Sequence, residues 1–198
     1  MKTFFTSDLH FGHNNIIIYD KRPFESVEDM DQELVRRWNS KVGTEDMVYV
    51  LGDMFLPIHK EYVCGILEAL NGKIILVKGN HDRFAKKEWA APYFQDILSV
   101  AQVDVPLEAG STQRCLLSHK FLVDDGLAKE DRILLHGHSH VTVEADQEID
   151  KVAELNSRGI PYRAYNVGCM YYDFYPMTLD EILRAGTKKA PDYGNRGE

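Results

Sequence analysis

Short apolar runs punctuate this chain, and each stops at side chains able to hold a metal ion or move a proton. Lys2 to Ser7 is β-prone and ends at Asp8-Leu9-His10. Met47 to Leu51 ends at Gly52-Asp53, and Ile74 to Val77 leads to Gly79-Asn80-His81-Asp82. Gln113 to Leu117 ends at Ser118-His119, and Arg132 to Leu135 ends at His136-Gly137-His138-Ser139-His140. Runs of this length bounded by turn residues read as buried strands. A last strand, Tyr162 to Val167, ends at Gly168.

Between the strands lie helical patterns. Ser26 to Lys41 carries Val27, Met30, Leu34 and Trp38 at helical spacing, with Ser26 as N-cap and Asp29 in the first turn. Its opposite charges, Glu28, Asp31, Glu33, Arg36 and Arg37, read as a solvated face without chemistry. A second helix is expected over Lys60 to Leu70, with Asn71-Gly72 as its C-cap. Arg83 to Phe94 reads as partly helical. Ile97 to Leu107 and Gln113 to Leu117 read as a hairpin-like pair. Thr178-Leu179-Asp180-Glu181 fits a capping box that opens a short last helix. Alternating strands and helices with short links predict βαβ units and a parallel sheet. Residues 1–187 are expected to form one domain, with 188–198 a flexible tail.

Composition narrows the function. The 198 residues are enough for a real core, and no apolar run is long enough to cross a membrane. The N-terminus reaches Asp8 too soon for a signal peptide. A formal charge of −8 argues against a surface that tracks long nucleic acid. Cys64, Cys115 and Cys169 form no Cys-x-x-Cys pair and read as small buried side chains in a reducing cytoplasm.

Singly, each polar strand end has a plain alternative. Asp8 and His10 suit a shared metal ion or a turn cap followed by a surface histidine, and Gly79-Asn80 is also ordinary turn chemistry. His13 either touches substrate or hydrogen-bonds its loop, His136 reads as structural, and His59 as a surface residue. Together they carry more weight, because seven of the eight histidines fall at or beside strand ends. Imidazoles and carboxylates without thiolate suit Mn, Fe, Zn or Ni.

The ordered set Asp8-x-His10, Gly52-Asp53, Gly79-Asn80-His81-Asp82, His119 and Gly137-His138-x-His140 resembles the motifs of the calcineurin-like metallophosphoesterases. Ser118 departs from the pattern, standing where the family usually has glycine. The opening Asp8-Leu9-His10-Phe11-Gly12-His13 is similar to a bacterial and phage branch of that family. The resemblance implies an α/β fold, a four-layer α/β/β/α sandwich with a dinuclear metal site at the C-terminal ends of its strands. It implies one ion on Asp8, His10 and His140, a second on Asn80, His119 and His138, and Asp53 bridging them. Manganese is the first expectation, with iron, zinc or nickel as alternatives. Two such ions share and deprotonate a water that attacks phosphorus in line. His81, oriented by Asp82, is expected to protonate the leaving group, while His13 and Arg83 are expected to contact substrate. Arg22, Lys120, Tyr171 and Tyr172 complete the expected rim. The expected substrate is a small phosphate ester, preferentially a diester and nucleotide-derived, with no long nucleic acid or membrane as partner. The alternatives are a phosphomonoesterase of the same fold, a non-catalytic metal-binding scaffold, or a dinuclear hydrolase of C–N or C–O bonds.

Overall fold

The computed structural model describes residues 1–56, 59–123 and 131–188. A five-stranded sheet has the order β4-β3-β2-β1-β9, built from β1 (Thr3–Thr6), β2 (Met47–Val50), β3 (Lys73–Val77), β4 (Phe94–Leu98) and β9 (Met177–Thr178). Its first four strands are parallel and β9 is antiparallel to β1. A four-stranded sheet has the order β5-β6-β7-β8, from β5 (Val100–Pro106), β6 (Thr112–Ser118), β7 (Ile133–His136) and β8 (Ala164–Asn166).

The two sheets face each other, and helices cover them. Alternation along β6 and β7 makes this visible: Cys115, Leu117, Ile133 and Leu135 join the main core with Phe4, Val48 and Leu76. Leu116 and Leu134 point the other way, into a smaller cluster with Leu155 of α4 (Val143–Ser157). Successive strand residues face opposite sides, so two apolar faces require two covering layers. On the five-stranded sheet the cover is α2 (Val27–Lys41) and α3 (Lys60–Ala69). Met30, Leu34 and Trp38 are buried there as the spacing predicts, and Ser26 accepts from the Asp29 N–H at 3.1 Å. This is the α/β/β/α sandwich expected from the sequence.

Several expectations change. The apolar stretch from Ile97 to Leu107 is not one hairpin arm: it divides at Ser99, where the chain passes from the first sheet to the second. Phe94–Leu98 runs parallel to β3, a non-local pairing that no local pattern announces. The hairpin itself is real, with Val100 opposite Ser118 and Pro106 opposite Thr112. Helix α3 ends at Ala69, capped by Leu70, and Gly72 at φ +93° instead turns the chain into β3. Helix α4 has no counterpart among the expectations, although Ala145, Ile149, Val152 and Leu155 recur at helical spacing. The capping box holds: Thr178 and Glu181 satisfy each other at the start of α5 (Leu179–Ala185). The expected tail lies outside the described residues apart from Lys188, whose Nζ donates to the Tyr171 carbonyl at 3.0 Å. Among the described residues no helix is long and apolar enough to cross a membrane.

Candidate metal centre

Both sheets deliver their strand ends to one place. Beyond β1, the N–H groups of Asp8 and His10 donate to the carbonyls of Gly52 and Asp53 at 3.0 Å, carrying the β1–β2 pairing into the loops. Ser7 bridges Gly168, which joins the first sheet to the end of β8. Asp8, His10, Asp53, His138 and His140 all adopt left-handed backbone, with φ of 57°, 54°, 52°, 76° and 42°. Such values are uncommon outside glycine, though Asp and His tolerate them better than most residues. Asp8 and His10 are thus brought together by turns past the strand, not by alternation along it, and Leu9 between them enters the core.

Gly79 permits the closest approach. A Cβ there would overlap the carboxylate and backbone nitrogen of Asp53. Gly79→Ala is therefore expected to displace Asp53 and destabilise the fold by about 1–3 kcal/mol, the usual effect of overpacking. Thermal unfolding in chelating buffer, read beside bound metal, checks this; an unchanged midpoint with full metal uptake would refute it.

Two overlapping groups of ligand atoms result. Asp8, His10, Asp53 and His140 form one, and Asp53, His119 and His138 the other, with all atoms of a group within 4.8 Å of one another. In the first, His10 Nε2 lies 3.2 Å from His140 Nε2 and 3.8 Å from Asp53 Oδ2, and His140 Nε2 lies 3.4 Å from Asp8 Oδ1. In the second, His119 Nε2 lies 3.0 Å from Asn80 Oδ1, 3.1 Å from His138 Nδ1 and 3.4 Å from Asp53 Oδ2. Nitrogen and oxygen ligands about 2.0–2.1 Å from one ion stand about 2.9–3.4 Å apart, so most of these separations match a shared cation. One ring N–H cannot serve the three neighbours of His119 Nε2 at once, whereas a cation can. The donor set fits two divalent ions.

Charge gives the same answer. Burial opposes charge on Asp8, yet contacts with His140, His119 and His10 hold it well below the usual carboxylate range. Burial also opposes charge on His140, but the carboxylates of Asp20 and Asp8 raise its pKa to about 10. For His119, likewise, Asp53 and Asp8 overcome burial and raise the pKa. Burial, aided by the Arg22 charge, pushes His10 down to about 3, which keeps its ring neutral. In the bare protein, the proton on His140 and the raised proton affinity of His119 offset buried carboxylates at positions where cations would do the same.

The remaining residues sort themselves around this centre. The His81 side chain is about two-fifths exposed (42%), with Nε2 4.0 Å from Asp53 Oδ2, and its backbone N–H donates to Asp53 Oδ1 at 2.8 Å. Asp82 does not meet the expectation that it orients His81. Its buried carboxylate accepts instead from the backbone N–H groups of Asp53, Met54 and Gly79 at 2.7–2.8 Å, locking the loops after β2 and β3 together. His13 Nδ1 lies 3.2 Å from His10 Nδ1. Arg22 is not on the rim: it is fully buried, bonded to Asp20 and to the carbonyls of Asp8 and Leu9. Tyr171 and Tyr172 are buried as well, and the Tyr171 hydroxyl bonds the His140 carbonyl. Arg83 and Lys120 are exposed. His136 is buried beside Glu148, in keeping with a structural role.

Three positioning groups escaped the sequence reading. Asp20 holds His140 Nδ1 at 2.9 Å from both carboxylate oxygens. Asp31 of α2, expected on a solvated face, is buried; it accepts from the Gly12 N–H at 3.2 Å and from the Tyr62 hydroxyl. Glu148 of α4 accepts from Ser139 Oγ at 2.5 Å, inside the turn that carries His138 and His140. No motif marks any of them. Only the helical register of Glu148, one residue before half-buried Ile149, placed it near the inward face.

Comparison with known proteins decides the family. The pattern of the calcineurin-like phosphoesterase superfamily domain matches residues 1–169. The chain belongs to that superfamily. An uncharacterised protein of Methanocaldococcus jannaschii is 31% identical over 185 residues, covering 92% of this chain and 90% of the relative. The Gene 66 protein of Mycobacterium phage L5 is 34% identical over 160 residues, covering 70% of this chain and 77% of its own length. Among solved structures, a protein of unknown function from Aquifex aeolicus aligns with a TM-score of 0.69 at 27% identity. That alignment covers 93% of this chain and 98% of the other. Membership carries metal-dependent hydrolysis of phosphate esters, and the His/Asp cluster at the sheet ends is where this phosphoesterase would hold divalent ions.

Proposed function

We propose that this phosphoesterase is a dinuclear enzyme cleaving a small, nucleotide-derived phosphodiester. The observation that carries the reading is the pair of ligand groups meeting on one carboxylate, Asp53. In this reading Asp8, His10 and His140 would hold one ion, Asn80, His119 and His138 the other, and Asp53 would be shared by both. When bound, such ions supply positive charge at the phosphoryl oxygens and lower the pKa of an attacking water. Manganese heads the candidates, with iron, zinc and nickel behind it, because the donors are imidazole and carboxylate without thiolate.

The chain's own part is positioning and proton transfer. His81 is tied by its main chain to Asp53 Oδ1, and its ring is open to solvent, so Nε2 is free to protonate the departing alkoxide. Asp82 acts one step back, by fixing the loop that carries His81 and Asn80. Residues 1–187 are taken as one catalytic domain. Three free, buried cysteines suit the reducing cytoplasm assigned to it.

Diester preference rests on a shortage of added cations. Enzymes specialised for doubly charged monoesters often clamp the equatorial oxygens with arginine. Arg22 is committed to Asp20 and two carbonyls, and Arg83 is an exposed side chain at the start of a 3-10 turn. Met54 and Phe55, which follow Asp53 directly, are fully buried in the core and offer no face to a base or alkyl group. A groove of about 320 Å³ beside His138 is the better berth, lined also by Phe121, Val123 and Gln147; its two lysines, Lys120 and Lys151, are matched in number by Glu144 and Glu148, so it adds no net positive charge. Its size falls at the lower end of ordinary ligand pockets.

On metal-loaded enzyme, a bis-aryl phosphate should show higher kcat/KM than the mono-aryl ester at several pH values. A monoester preference of about tenfold or more would defeat the diester assignment, and no phosphate-ester hydrolysis at all would defeat the enzyme assignment.

A further inference from the structure

Each histidine that faces the centre has a second ring nitrogen, and what holds that nitrogen differs between the two ligand groups. His119 Nδ1 donates to a main-chain carbonyl, Leu51 O, at 2.8 Å, and His138 already faces His119 through its Nδ1. In the other group both far nitrogens are held by side chains from one short segment. His10 Nδ1 meets His13 Nδ1 at 3.2 Å, and His140 Nδ1 meets Asp20 at 2.9 Å, 120 residues away in sequence.

His13 and Asp20 flank a single six-residue helix, α1 (Asn14–Tyr19), standing at its two ends. The helix is pinned by buried Ile16 and by the Asp20 N–H to Ile16 carbonyl bond at 2.9 Å. Arg22 completes the unit. Its guanidinium reaches Asp20 Oδ2 through Nε and Nη2 at 3.1 and 3.0 Å, Leu9 O at 2.9 Å and Asp8 O at 2.8 Å. One buried arginine thus fixes both the carboxylate behind His140 and the main chain that presents Asp8 and His10.

We propose that the segment from His13 to Arg22 is a positioning device for one of the two metal sites, that of Asp8, His10 and His140. It sets the tautomer and aim of both imidazoles from behind. For His10 to offer a lone pair at Nε2, its proton sits on Nδ1 and His13 Nδ1 accepts it. For His140, Asp20 accepts the Nδ1 proton and leaves Nε2 facing Asp8 Oδ1 and His10 Nε2. Groups placed behind metal-binding histidines in this way typically change metal affinity by about 10–100-fold. Because His119, His138 and Asn80 have no described hydrogen bond to residues 13–22, the device addresses one site and spares the other. The inference rests on the dinuclear reading above.

The test is metal binding, read without turnover. Manganese is titrated by calorimetry into metal-stripped wild type, Asp20→Ala, Asp20→Asn and His13→Phe, and each loaded protein is examined by electron paramagnetic resonance. Wild type should bind two ions and give the signature of a spin-coupled pair. Asp20→Ala and His13→Phe should each weaken one ion by about 10–100-fold, leave the other unchanged, and give an isolated-ion spectrum at limiting manganese. Asp20→Asn, whose amide oxygen still accepts from His140, should fall between. Equal weakening of both ions, or of neither, overturns the assignment. If Asp20→Ala fails to fold, His13→Phe leaves the Asp20–Arg22 pair intact and carries the test alone. A wild type that takes up fewer than two ions overturns the dinuclear reading itself.

Discussion

Asp53→Asn is expected to strip both ions from the protein and to lower turnover by about 10³-fold or more. The size follows from the several kcal/mol that bound ions supply to phosphoryl transfer, at 1.36 kcal/mol per decade of rate. Among the described residues, Asp53 is the one common to both ligand groups. Its Oδ2 lies 3.8 Å from His10 Nε2 and 3.4 Å from His119 Nε2, and its Oδ1 accepts the N–H of His81. Replacing the carboxylate by an amide keeps the shape and removes the charge at the point where both ions need it. A strong chelator should reproduce the loss in wild type, with manganese restoring activity. Elemental analysis beside kcat checks the claim, and full turnover in metal-stripped protein would end it.

His81→Asn should behave in the opposite way, keeping both ions while slowing turnover by about 10²–10⁴-fold, the usual size of a general-acid contribution. The ring sits outside both ligand groups and is about two-fifths exposed, whereas its backbone is what Asp53 holds. Losing the imidazole should therefore leave Asp53 in place. The deficit should shrink for aryl esters with good leaving groups, which need little protonation. A fall in metal content parallel to the fall in rate would make His81 a ligand instead.

The parts of this architecture visible in the sequence are those that depend on local pattern. Met30, Leu34 and Trp38 announce α2, and the Thr178–Glu181 pair announces α5, because spacing and capping are properties of neighbours in sequence. The polar residues beyond each strand were visible for the same reason. What escaped was decided by tertiary geometry. The stretch around Ser99 is continuously β-prone, so its division between two sheets depends on where β3 and β6 lie. Asp82 looked like a partner for the histidine beside it, yet the tight turn aims it at three backbone N–H groups instead. Met54 and Phe55 lie just past a strand end, and only the Phe11–Phe55 bridge, a pairing distant in sequence, folds them into the core. Arg22 and Asp20 act on residues up to 120 positions away, and nothing local distinguishes them from surface charges.

The left-handed backbone at Asp8, His10, Asp53, His138 and His140 bears on how this protein would age under relaxed selection. Each non-glycine residue held there costs on the order of 1 kcal/mol, a burden that persists only while surrounding contacts and use enforce it. A descendant lineage freed from phosphate chemistry would gain robustness by drifting to glycine or asparagine at these same five positions. Decay of the catalytic centre and improvement of the scaffold would then be one evolutionary path, travelled a substitution at a time.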